Sequence, residues 1–228
     1  MNLTTETMRG PAPRRGVVPG AVDRGRTGHG GDMVQDKVIA IGASTGGPEA
    51  IAELLSLSRG RVDAPILICQ HMPGNLTAIL AATLSRQTGL FCHEAVDGEV
   101  PVAGRVYLAP GGFHLLVERR SARPVLRLST APPVHFFRPA IDPLFASVAA
   151  LYGSQALGIV LTGLGEDGTI GARALTDAGA TVAVQDRQSS LIWGMPGAVV
   201  KAGAASEVAS LSRLAELMRL PPADPKWC

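Results

Sequence analysis

Ser44 lies in Gly42-Ala43-Ser44-Thr45-Gly46-Gly47, a G-x-S-x-G spacing between the apolar run Val38–Ile41 and a helical pattern that opens at Pro48. A sharp strand-to-helix turn of this kind lifts a serine hydroxyl clear of the sheet and leaves room for a substrate. The same turn also suits an anion, because the N-terminus of the following helix favours negative charge. Two further turns carry the partners that a nucleophilic serine needs. Gln70-His71-Met72-Pro73 follows the run Pro65–Cys69, and Thr162-Gly163-Leu164-Gly165-Glu166-Asp167-Gly168 follows Ala156–Leu161. A hydroxyl becomes a competent nucleophile when an imidazole accepts its proton. The imidazole keeps the right tautomer when a carboxylate bonds its other nitrogen.

Ser44, His71 and Asp167 each sit just past the C-terminal end of a predicted parallel strand, where open α/β sheets bind ligands. Each also has a plainer reading. Ser44 could cap the next helix or belong to a phosphate-binding turn, His71 could bond backbone, and Asp167 could cap the helix after Gly168. Glu166 is an alternative acid. His93, His114 and His135 fall in predicted strand or loop, and His29 falls near the N-terminus. The convergence of three strand-end turns favours catalysis over any one residue's plain role. The chain order Ser–His–Asp differs from that of α/β-hydrolases, where the acid precedes the histidine.

The elements that must position these groups alternate. Pro48–Leu57 places Ile51, Leu54, Leu55 and Ser58 on one helical face, with Pro48 in the first turn. Asn75 is placed to cap a helix carrying Leu76, Ile79, Leu80 and Leu84. Between Gly89 and Ser129 the rhythm changes to the short runs Phe91–Ala95, Arg105–Ala109, Phe113–Glu118 and Val125–Leu128. Turn residues such as Asp97-Gly98 separate them, which predicts antiparallel hairpins at one edge of the sheet. A helix from Asp142 or Pro143 follows, then Ala156–Leu161, a helix ended by Gly179, the strand Thr181–Gln185, a short helix from Met195 and a last one over Leu211–Leu220. The fold class is α/β: a largely parallel, doubly wound sheet flanked by helices.

Composition bounds the function. The chain has 228 residues, 46% apolar and 18% charged, enough for one sizeable core. Five of its 21 basic residues and three of its 19 acidic ones lie in residues 1–32, so the remainder balances at 16 of each. A neutral body gives no footprint for nucleic acid, and no apolar run reaches the ~18 residues of a membrane span. Cys69, Cys92 and Cys228 form no C-x-x-C pair, which argues against a zinc site or disulfide framework and fits a cytoplasmic setting. Cys69, inside an apolar run, reads as a buried structural thiol. Residues 1–36 are expected to be a disordered Gly/Arg-rich tail, 37–220 one catalytic domain and 221–228 a short C-terminal tail, with Met33 an alternative start.

Together the three turns resemble the catalytic domain of bacterial chemotaxis protein-glutamate methylesterases, the CheB family. Supporting stretches are Tyr107-Leu108-Ala109-Pro110-Gly111 with His114-Leu115, Arg138-Pro139-Ala140-Ile141-Asp142-Pro143-Leu144-Phe145 and Gly194-Met195-Pro196. The likeness runs in order over about residues 37 to 218. Leu164 stands where the family usually has Met, and Ala140 where Ser is usual. The resemblance implies Ser44 as nucleophile, His71 as base and Asp167 as the acid that orients it. It implies backbone stabilisation of an oxyanion near Thr45, Gly46 and Leu164, with Arg138 and Met195 lining the cleft, and neither cofactor nor metal. The implied reaction removes methyl groups from γ-glutamyl methyl esters on methyl-accepting chemoreceptor helices, with glutamine deamidation as a second activity. Alternatives are a phosphate- or nucleotide-binding module built on Gly42–Gly47 and an inert scaffold of a receptor array. The usual family member also carries a receiver domain. The residues before Lys37 are too few for one, so activity indifferent to phosphodonors is the expectation.

Overall fold

The computed structural model describes residues 37–58 and 62–220. The expected tails, 1–36 and 221–228, lie outside the described residues. So does Cys228.

Seven parallel strands form one sheet: β1 (Val38–Ala43), β2 (Ile66–Gln70), β3 (Phe91–Glu94), β4 (Arg105–Leu108), β7 (Ala156–Val160), β8 (Thr181–Gln185) and β9 (Glu207–Ala209). Their spatial order is β3-β4-β2-β1-β7-β8-β9. β5 (His114–Arg120) and β6 (Arg123–Ser129) form a separate antiparallel pair.

The central strands are apolar throughout because both faces are covered, as parallel sheets require. Ile39, Ile41, Ile66, Ile68, Leu157 and Ile159 face α1 (Gly47–Leu57), α2 (Thr77–Thr88) and α6 (Leu211–Arg219). Val38, Ala40, Leu67, Cys69 and Val160 face α3 (Ile141–Tyr152), α4 (Thr169–Asp177), α5 (Met195–Lys201) and the β5–β6 hairpin. The sheet is therefore doubly wound, as read from the sequence. Among the described residues no helix is long and apolar enough to cross a membrane.

The structure corrects three local readings. Phe91–Glu94 and Arg105–Leu108 are not hairpin strands: they pair in parallel and extend the main sheet. The Asp97-Gly98 turn between them instead docks on β6, with Gly98 N–H donating to Leu126 O and Leu126 N–H to Glu99 O. Asn75 does not cap α2. Leu76 occupies that position without a side-chain bond, and Thr77 Oγ1 bonds the Gly74 carbonyl while accepting the Gly111 N–H. Finally β9, three residues with one apolar valine, closes the sheet edge where the sequence showed no strand pattern.

Candidate active site

The strand order reverses direction at β1, whose neighbours β2 and β7 are paired with it in register. Gly42 is opposite Cys69 and Val160, and Ala43 is opposite Gln70. One residue further, Ser44 and His71 leave adjacent strand ends side by side. His71 N–H donates to Ala43 O at 3.0 Å, and Ser44 N–H donates to Thr162 O at 3.0 Å. This is the switch point at which doubly wound sheets open a crevice. A cleft of about 480 Å³ lies there, lined by Ser44, Thr45, His71, Met72, Pro73, Phe137 and Leu164.

His71 Nε2–H donates to Asp167 Oδ2 at 2.7 Å, and both side chains are 2% exposed. A carboxylate can only accept, so the proton sits on Nε2 and Nδ1 holds the free lone pair. Nδ1 is buried and, among the described residues, has no hydrogen-bond partner. His71 and Ser44 line the same cleft.

Asp167 is held by the N-terminus of α3. Its Oδ2 also accepts Ile141 N–H at 2.7 Å, and Oδ1 accepts Asp142 N–H at 3.0 Å and Gly168 N–H at 2.9 Å. These are N–H groups that a helix start leaves without intrahelical partners, and the helix dipole favours the anion there. Burial pushes the carboxyl toward higher pKa. The His71, Ile141 and Asp142 donors outweigh it, so Asp167 lies below the usual carboxylate value. Asp142 behaves oppositely. Burial, aided by the Asp167 charge, raises it despite bonds from Gly171 N–H and His135. Glu166, the alternative acid, is exposed and lines a different groove with Arg187 and Trp193.

The other described histidines, His93, His114 and His135, are engaged elsewhere. His114 accepts Ala140 N–H at Nδ1 and donates from Nε2 to Pro132 O. His93 pairs with Glu99, and His135 with Asp142. His135, Asp142 and Asp167 bring three ligand-type atoms within 4.8 Å of one another. The four oxygens of the two carboxylates already accept N–H donors, which suits a hydrogen-bonded network rather than a cation. Cys69 is fully buried, and burial, with the Asp167 and Asp142 charges, raises its pKa well above a free thiol's. It is unsuited to nucleophilic work.

Thr45 and Leu164 line the cleft, both exposed. Among the described residues neither donates its N–H to a backbone carbonyl. Three other expected positioning residues lie elsewhere. Gly46 caps α1 with φ +78° and borders a smaller cavity beside Glu49 and Leu191. Arg138 turns away, Nη1 bonding the carbonyls of Thr130 and Ala131. Met195 is fully buried, its sulfur against Gly163 beneath Ser44, so it supports the floor of the cleft and does not line it.

Two glutamines at strand ends escaped the sequence reading. Gln70 Nε2 donates to both Ser44 O and His71 O at 2.8 Å, tying the two turns together. Gln185 Oε1 accepts Thr162 N–H and its amide holds Ser189, fixing the third turn. A polar residue closing an otherwise apolar strand was the available signal. Phe137, stacked on His71, had none beyond its place in a proline-bounded loop.

The phosphate-cradle alternative fits poorly. In the first turn of α1, Gly47 N–H already bonds Ser44 O, Pro48 has no N–H, and Glu49 adds negative charge.

Comparison with known proteins bears on the family and the fold. The family model for CheB methylesterase matches residues 39–218. A Paramagnetospirillum magneticum protein named protein-glutamate methylesterase/protein-glutamine glutaminase 1 is 49% identical over 179 residues, covering 78% of this chain and 47% of its own length. A similarly named Azospirillum brasilense protein is 46% identical over 188 residues, covering 82% and 48%. The crystal structure of the Thermotoga maritima CheB methylesterase catalytic domain superposes with a TM-score of 0.79 at 34% identity, covering 81% of this chain and 97% of that one. The chain spans about half the length of the curated relatives it matches.

Proposed function

We propose that this chain, which belongs to the CheB methylesterase family, is a serine hydrolase that cleaves γ-glutamyl methyl esters on protein substrates. The observation that carries the reading is the buried His71–Asp167 pair, its Nδ1 unpartnered among the described residues, in the same cleft as Ser44. Ser44 Oγ attacks the ester carbonyl carbon while His71 Nδ1 takes its proton. Asp167 holds the tautomer and stabilises the imidazolium that forms. The tetrahedral oxyanion is met by the Thr45 and Leu164 N–H groups, which cost no reorganisation as charge develops. The C–O bond to the methoxy group then breaks, His71 returns the proton to it, and methanol leaves an acyl-Ser44. Water, deprotonated by His71, attacks that ester and restores a free glutamate and Ser44.

The same steps hydrolyse a glutamine side-chain amide, releasing ammonia, in keeping with the double name of the relatives. The substrates we assign are methylated chemoreceptor helices, which the exposed apolar rim of Leu164, Phe136 and Phe137 can receive. No step needs a metal or cofactor.

The test is methanol release from a methylated chemoreceptor by the wild-type chain and by Ser44→Ala. The wild type should release methanol, and the variant should fall by several orders of magnitude with an unchanged fold. A variant keeping more than about a tenth of the rate, a loss below roughly 1.4 kcal/mol, would contradict Ser44 as nucleophile.

A further inference from the structure

His71 and Phe137 stack with ring centroids 3.8 Å apart and planes inclined by 10°. Two neutral aromatic rings stacked in parallel gain mainly from contact area, because their quadrupoles repel where the faces overlap. A cation over the face of a phenyl ring is attracted, within about 6 Å of its centroid. The Phe137 ring face would therefore attract an imidazolium formed during reaction more than it attracts the neutral imidazole.

Phe137 is placed by its backbone. Its N–H donates to Val134 O at 2.8 Å and its carbonyl accepts Val134 N–H at 3.1 Å, closing a two-residue hairpin. Arg138 secures the far flank through the Thr130 and Ala131 carbonyls, and Gly112 N–H bonds Arg138 O. The Phe137 ring is 39% exposed and forms a wall of the cleft, so it is no core residue displaced outward.

We infer that Phe137 is a positioning residue that favours the protonated state of His71, and so stabilises the transition state more than the resting site. This rests on the reading of Ser44 as nucleophile and His71 as base. In that chemistry His71 is neutral at rest and cationic as the tetrahedral species forms. An interaction stronger in the second state accelerates the step, whereas one equal in both does not. Asp167 contacts His71, and Asp142, His135 and the Cys69 thiol of β2 are linked to that pair through the two carboxylates. All of them persist in Phe137 variants, so differences among those variants isolate the stack.

The experiment follows inactivation of the full chain by a fluorophosphonate as a function of pH, with thermal melts as a check on folding. It needs only an activated serine and no protein substrate. Phe137→Leu should inactivate about 3- to 30-fold more slowly. Its acid limb should move to lower pH by about 0.5 to 1.5 units, because a less stabilised imidazolium releases its proton more readily. Phe137→Trp, with the stronger ring face, should keep the wild-type rate or exceed it, with its limb at or above that of wild type. A Leu variant with wild-type rate and limb overturns the inference. So does a slower Leu variant whose limb has not moved, or a Trp variant that behaves like Leu. A wild-type chain that does not react would overturn the underlying reading as well, which separates the two failures.

Discussion

Asp167 accepts four N–H donors, from His71, Ile141, Asp142 and Gly168. That saturation keeps a buried carboxylate ionised and fixes the direction in which His71 presents Nδ1. Asp167→Asn would set amide hydrogens against two of these four N–H donors whichever way the amide turned, and the anion that fixes the imidazole tautomer would be gone. The esterase rate should fall by about three to four orders of magnitude, while Glu166→Gln, on an exposed side chain, should stay within about twofold. The reverse order of the two rates would reassign the acid. The same residue predicts a pH signature. Its folded pKa lies below its unfolded value, so its stabilisation is complete above the ordinary aspartate range and is lost as pH falls through the folded pKa. In urea titrations the wild type should exceed Asp167→Asn by about 1–3 kcal/mol near neutrality, and the gap should close in acid. A gap constant down to about pH 2 would show that the charge contributes nothing.

At the scale of elements, the site is made of turns braced from behind. A Cβ on Gly163 would sit 2.7 Å from Ser44 Cβ and collide with Met195 Sδ. Gly163→Ala should therefore displace the nucleophile, destabilising by about 1–3 kcal/mol and cutting the rate at least tenfold; an active variant of wild-type stability would show the floor to be soft. The hairpin carrying Phe137 has its tip, His135 and Phe136, in left-handed backbone at φ +50° and +67°. Phe136 is fully exposed. Such strain persists where a site uses it. Phe136→Gly should leave the melting temperature equal or higher, since glycine adopts that region freely, and should raise KM for a protein substrate while sparing small esters. A lower melting temperature would mean that the Phe136 ring packs after all. The central strands were legible because continuous apolar runs bounded by glycine turns specify buried parallel strands. Phe91–Glu94 and Arg105–Leu108 were not. Short runs beside an Asp-Gly turn read as a hairpin, and their parallel pairing is decided by distant contacts with β2 and β6. The strand-end residues Ser44, His71 and Asp167 stood out by type and position. Gln70, Gln185 and Phe137 did not, because their roles depend on which turns lie across from them.

At the scale of the whole molecule, the doubly wound order brings the ends of β2, β1 and β7 to one crevice. The serine, the histidine and the aspartate are 27 and 96 residues apart in sequence and meet there. Helices on both faces keep the strand ends rigid, and α3 contributes its N-terminus as the anchor of the acid. The residues assigned to the proposed hydrolysis lie between residues 39 and 218, the span matched by the CheB methylesterase family model. The central claim is that this crevice activates one serine. Its most direct test is fluorophosphonate labelling of the full chain followed by mass spectrometry of the peptides. The account predicts a single adduct, on Ser44, absent from Ser44→Ala and strongly slowed in Asp167→Asn. No adduct on the folded wild-type chain, or one that forms as readily in Ser44→Ala, would contradict it.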